Sequence, residues 1–202
     1  MREETDKLQL TSTQCEHLLR IARLALTAHF GLRPLPETPP NDPVLWQQIG
    51  LFITLWQHDG TAAPAYWPQG HLRGCVGHIQ SELPLHEAVA QTAVEAALND
   101  PRFPPLTATE LPTVHIEISL LSPLHAIKTL TEINIGQHGL LITNGVQQGL
   151  LLPQVAANRQ WDRARFLQGV CQKAGLPLTA WPRSAKLFAF TTVEFEENHP
   201  DP

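Results

Sequence analysis

The sequence predicts an α+β fold with a mainly antiparallel sheet and packed helices, forming one domain from about residue 12 to 196. Three observations carry this. Strand-like and helix-like segments follow one another without a regular strand–helix–strand rhythm, which argues against a doubly wound parallel sheet. Val114, Ile116, Ile118 and Leu120 alternate with His115, Glu117 and Ser119, the period of a strand with one core face. Asn144-Gly145 separates two apolar runs, 139–143 and 147–152, and Asn-Gly suits the positive φ values of a type I′ hairpin turn.

The elements follow in chain order. Thr13-x-x-Glu16 reads as a capping box, and Leu18, Ile21, Ala22 and Ala25 recur at helical spacing until Gly31, giving a helix over 13–29. Five prolines between Pro34 and Pro43 make an extended tether, since each ring removes a backbone donor. Leu51 to Trp56 is a β-rich strand ending at His58-Asp59-Gly60, followed by a loop over 61–70. Leu72 to Ile79 is a second strand, interrupted by Gly74 and Gly77, where a bulge or a close backbone approach is expected. Pro84 suits the first turn of a helix over 84–98, whose alanines form a small-residue face for packing near a sheet. Asn99 to Pro105 is a stiff turn before the alternating strand. After the hairpin, Asp162 caps a helix that stops at Gly175, and Leu187 to Phe195 closes the fold as one strand. Residues 1–11 and 197–202 are expected as flexible termini.

Composition narrows the function classes. The 202 residues are 43% hydrophobic and 16% charged, enough apolar surface for a core. A formal charge of −5, with Arg and Lys scattered and not interleaved with aromatics, offers no nucleic-acid footprint. Cys15, Cys75 and Cys171 lie far apart, with no C-x-x-C pair, and read as thiols of a reducing compartment. The charged N-terminus does not resemble a signal peptide and no apolar run reaches the roughly 20 residues of a membrane span, so a cytoplasmic location is expected. No H-E-x-x-H, P-loop, dinucleotide or G-x-S-x-G motif occurs, and neither a metal nor a cofactor is expected from the sequence.

The remaining chemistry sits in Leu72-Arg73-Gly74-Cys75-Val76-Gly77-His78. Alternation puts Arg73, Cys75 and Gly77 on one face unless a bulge intervenes, with Arg73 to recognise an anion and favour the thiolate, and the glycines to give access. His71 or His78 would serve as the base, and Glu117 projects from the non-core face of its strand. The competing structural reading makes Cys75 a small buried side chain and Arg73 an ion-pair partner. Asp100 and Arg102 pair either at the mouth of a site or simply to stiffen their loop. Gln154, Trp161 and Asp162 suit a helix anchor as well as a ligand contact, and the ten histidines are otherwise scattered.

Several stretches carry a resemblance: Phe52-Ile53-Thr54-Leu55, Leu72 to Gly77, Asp100 to Leu106, Glu117-Ile118-Ser119, His138-Gly139-Leu140, Gly149 to Ala156, Trp161-Asp162 and Lys173-Ala174-Gly175-Leu176. In this order, over nearly the whole chain, they resemble the AMMECR-type domain family. The resemblance implies a two-lobed fold with Arg73-Gly74-Cys75 as the hallmark motif. It also implies association with a Memo-like protein and a radical S-adenosylmethionine protein, and His138 and Gln154, which lie in the matching stretches, are taken as binding candidates. Asn158 and Gln160 depart from the family pattern, which usually has Glu and Gly there. The resulting expectation is a protein that acts on a small anionic metabolite or modified group through Cys75 and Arg73, with His78 or Glu117 as partner. Contacts would come from His71, Gly74, Gly77, Asp100, Arg102, His138 and Gln154. A non-catalytic adaptor for a protein partner is the alternative, and whether the protein is an enzyme stays open.

Overall fold

The computed structural model describes residues 8–32, 41–57 and 70–197. The expected tether over 34–40, the turn at 58–60, most of the 61–70 loop and the outer parts of both termini lie outside these residues. The described elements include α1 (Ser12–His29), β1 (Leu51–Gln57), β2 (His71–His78), α2 (Leu85–Leu98), β3 (Val114–Leu121) and β4 (His125–Ala126). They continue with β5 (Gly139–Thr143), β6 (Gln148–Leu151), α3 (Pro153–Asn158), α4 (Arg163–Ala174), β7 (Lys186–Phe190) and β8 (Thr192–Glu196). The chain is α+β, and its elements fall into two compact units.

The first unit, Gln9–Leu120 with the chain from Val193 onward, contains a sheet ordered β2-β1-β3-β8 together with α1 and α2. β1 runs antiparallel to both β2 and β3. Leu51, Ile53 and Leu55 of β1, with Ile116, Ile118 and Leu120 opposite them on β3, are fully buried and make one sheet face. The alanine face of α2 fits its role: Ala88, Ala93, Ala96 and Ala97 are buried, and a Cβ on Gly74 of β2 would stand 2.1 Å from the Ala96 carbonyl oxygen. Gly74 is therefore required by helix–sheet contact. The second unit, described over Leu121–Thr192, contains a sheet ordered β4-β7-β5-β6 with α3 and α4, around a core that includes Leu140, Ile142, Phe166, Val170 and Leu187.

Local chemistry corrects several expectations. The capping box of α1 is Thr11 with Gln14, one turn's start earlier than Thr13 with Glu16, because Thr13 already has helical backbone. Pro43 opens a short 3-10 helix, Pro43–Trp46, capped by Asp42, and so does not belong to an extended tether. At the β5–β6 hairpin the positive φ falls on Gly145 alone, at +92°, and the Asn144 carboxamide oxygen accepts from the Val146 and Gln147 N–H groups. Asn144 thus caps the turn from its flank, and the type I′ expectation fails. Asp162 and Gly175 do bound α4 as expected, Gly175 with φ +68°. Both faces of β3 are buried, so it has no open polar face; Glu117 is its one half-buried position.

The expected single closing strand is two strands. β7 lies inside the second unit's sheet between β4 and β5, and β8 joins the first unit's sheet beside β3. Between them, Thr191 exchanges hydrogen bonds with Ser122, its N–H donating to Ser122 Oγ at 2.9 Å and its carbonyl accepting from Ser122 N at 2.9 Å. Glu197 is anchored rather than a flexible terminus: its carboxylate accepts from Arg23 and from the Ile116 N–H, and its own N–H donates to the Ile116 carbonyl.

Candidate functional site

Cross-strand register in the first unit places Cys75 of β2 opposite Thr54 of β1, and Thr54 opposite Glu117 of β3. Because side chains alternate, these three share one face, together with Phe52, Trp56 and Gly77. The Thr54 hydroxyl donates to Cys75 Sγ at 3.5 Å, and the Trp56 indole N–H donates to Glu117 Oε2 at 3.0 Å. The result is a row of carboxyl, hydroxyl and thiol across three strands.

The backbone of Cys75 is clamped from the turn after α2. Asp100, 4% exposed, accepts from the Cys75 N–H at 2.8 Å. The other oxygen of Asp100 accepts from Arg102 N and Nε, and Arg102 Nη2 donates to Asp100 at 2.6 Å and to the Cys75 carbonyl at 3.4 Å. The Arg102 hydrogen bonds pull the Asp100 carboxyl down to about 2, while half of the Arg102 side chain stays in solvent. Asp100 and Arg102 therefore both stiffen their loop and stand at the thiol's strand.

Burial raises the thiol of Cys75 above its ordinary value; the Thr54 hydrogen bond and the Arg102 charge work the other way, and Glu117 and Asp100 add to the rise. Burial likewise pushes Glu117 up to about 7, against the hydrogen bond from Trp56, with Glu194 and Glu196 contributing repulsion. A carboxyl that titrates near neutrality on the same sheet face as a protonated thiol is suited to exchanging protons with it through a group set between them.

Other residues take different places. Arg73 is buried, and its guanidinium donates to Glu110 at 2.9 Å and 3.2 Å and to the Pro104 carbonyl at 3.0 Å. Those bonds hold Glu110 down at about 2. The expectation that Arg73 lowers the thiol pKa is corrected: the thiol is raised, and the guanidinium acting on it is that of Arg102. The access expected from the glycines is also corrected. Gly74 is covered by α2, and a Cβ on Gly77 would lie 2.3 Å from the Phe52 ring. His78 pairs with Glu95 of α2 at 2.9 Å, while His71 is exposed at the start of β2. His138 and Gln154 belong to the second unit, where His138 Nδ1 accepts from Asn134 N and stacks edge-on with His125. Gln154 Oε1 is buried there without a hydrogen-bond partner among the described residues.

Sequence reasoning passed over Thr54 and Trp56 as site residues, although the period-2 offset from Thr54 to Trp56 marks a shared face. A cavity of about 1000 Å³ opens elsewhere in the first unit, lined by residues that include Cys15, Arg23, His115 and Glu196. No group of three His, Cys, Asp or Glu side chains fit to hold a metal occurs among the described residues. None of their helices is long and apolar enough to cross a membrane.

A family model described as AMMECR1 matches residues 19–195. A protein of Thermococcus onnurineus is 40% identical over 195 residues, covering 92% of this chain and 91% of its own. One of Thermococcus kodakarensis is also 40% identical, over 192 residues, with the same coverage. The crystal structure of an uncharacterized protein from Pyrococcus horikoshii is similar with a TM-score of 0.83 at 36% identity, covering 96% of each chain.

Proposed function

The chain belongs to the AMMECR1 family, and on that premise we propose that the sheet face bearing Cys75 is a thiol-dependent site acting on a small anionic metabolite or modified group. The row Glu117, Thr54, Cys75 is the observation that supports this reading most directly. Cys75 is the nucleophile. Its proton passes to Glu117 through the Thr54 hydroxyl or a substrate group seated over it, since the two outer strands stand roughly 10 Å apart, two strand spacings. Sulfur then bonds to an electrophilic carbon of the substrate, and the leaving group departs with the proton returned by Glu117. Arg102, half in solvent beside the thiol's strand, supplies the contact to an anion that sequence reasoning gave to Arg73. Substrate is delivered or taken up by a Memo-like protein and a radical S-adenosylmethionine protein. The adaptor reading draws on one observation, the upward shift of the thiol, which suits a side chain kept inert.

Alkylation by iodoacetamide, followed residue by residue, separates the two. The catalytic reading expects Cys75 to be labelled in the native protein at a rate that climbs with pH. It also expects labelling above neutral pH to quicken in Glu117→Gln, because a negative charge that adds to the effect of burial on the thiol is gone. A Cys75 that stays unlabelled from about pH 6 to about pH 9 while Cys15 reacts is a core thiol, and the adaptor reading then stands.

A further inference from the structure

We infer that the second unit carries a separate binding site for a small phosphate- or carboxylate-bearing ligand, in the cavity between the β5–β6 turn and the segment that leads into β7. This cavity, of about 600 Å³, is lined by Thr143, Asn144, Arg183, Lys186 and Phe188 among others, and by no acidic side chain among the described residues. Its size lies within the range of small-molecule pockets. Arg183 and Lys186 are both exposed, and neither has an ion-pair or hydrogen-bond partner among the described residues. Two cations that face one cavity without a counter-charge repel each other and gain from an anion placed between them.

The described residues of the unit carry the same imbalance of charge. Although the whole chain has a formal charge of −5, Leu121–Thr192 holds seven Lys and Arg against two acids, a formal +5. Both acids are spent on helix starts: Glu132 accepts from the Thr129 N–H and hydroxyl, and Asp162 accepts from the Arg165 N–H. Neither is free to answer Arg183 or Lys186.

The walls add direction. Register pairs Thr143 with Lys186 across β5 and β7, and Lys186 and Phe188 alternate onto the same strand face. Thr143 Oγ1 accepts from the Gly145 N–H at 3.0 Å, which leaves its own hydrogen to donate. An anionic group is met by a guanidinium, an ammonium and a hydroxyl, and Phe188, half-buried, offers an apolar surface for a planar part of the same ligand. This site contains none of the Cys75 row, so it stands or falls independently of the proposed function.

Calorimetric titration of the full chain tests it, with inorganic pyrophosphate, inorganic phosphate and phenyl phosphate as probes. The expected result is saturable, salt-sensitive binding of pyrophosphate that weakens by at least about tenfold in R183A/K186A, the loss of two charge-assisted contacts. Phenyl phosphate is expected to bind more tightly than inorganic phosphate, and Phe188→Leu to remove that difference. Arg159→Ala, which removes one exposed charge from the same unit at the end of α3, beyond the far end of β6 from the β5–β6 turn, is expected to change nothing. Both cationic residues are exposed, so a matched thermal melt establishes that the double variant is folded. Absence of saturable binding, equal affinity in the double variant, or an equal loss in Arg159→Ala overturns the inference, the last because it reports only the unit's overall charge.

Discussion

Replacing Glu117 by Gln exposes the cost of holding an acid on this sheet face. Burial is the main reason the carboxyl titrates at about 7 rather than 4.5. In the unfolded chain that burial is gone. Between the two values the native state binds a proton that the unfolded state has released, so stability falls as pH rises. The favourable contribution is complete below about 4.5 and is lost as pH passes through about 7. The difference between those values, at about 1.4 kcal/mol per pH unit, amounts to about 3 kcal/mol. Glutamine keeps the volume and its carboxamide oxygen still accepts from the Trp56 indole, so the variant lacks the ionisation and little else. Urea denaturation of both proteins from about pH 5 to about pH 8.5 reads the effect. The variant gains on the wild type by about 3 kcal/mol across that range, and histidine titrations common to both cancel in the difference. Stability curves that stay parallel throughout would refute the claim that Glu117 is held neutral by its surroundings.

Arg73→Ala is expected to lower stability by about 2–3 kcal/mol in urea melts, less than a fully buried ion pair because Glu110 keeps partial contact with water. The same pair weakens in acid, its contribution present above pH 4.5 and lost as pH falls through about 2. Gly74→Ala forces a methyl against the Ala96 carbonyl and should cost about 1–3 kcal/mol or prevent folding, read by circular dichroism. Gln160 has φ +52°, so Gln160→Gly should raise the melting temperature, the relief of a left-handed side-chain residue being about 1 kcal/mol. Cys171, fully buried, should react with iodoacetamide only after unfolding, in contrast to Cys15.

Elements whose signal is local were legible in the sequence. α1, α2 and α4, the hairpin, and β1 to β3 follow from caps, periodicity and turn residues that act within a few positions. The break at Thr191 was not, because Leu187 to Phe195 is β-rich throughout, with no Gly, Pro, Asn or Asp to mark a turn, and the division between two sheets depends on Ser122, 69 residues away in the chain. The site shows the same divide. Cys75, Glu117, Asp100 and Arg102 could be singled out by residue type, but the partner of Arg73 could not. Glu110 reaches it only through the turn that follows α2, and nothing in a one-dimensional pattern distinguishes it from other acids. The departure at Gln160 acquires a physical meaning from its backbone: the conformation there is one that glycine adopts without a steric penalty.

The split of the closing segment at Thr191 has a consequence for synthesis. As the chain leaves the ribosome, β1, β2 and β3 of one sheet and β4, β5 and β6 of the other are complete well before residues 186–196 appear. Each sheet then waits for a strand, and in the second the missing strand is an interior one between β4 and β5. Until that moment the unpaired edges are open to other nascent chains. A stop codon just before Lys186 would thus leave two unfinished sheets rather than one, and quality control by chaperones would meet both at once.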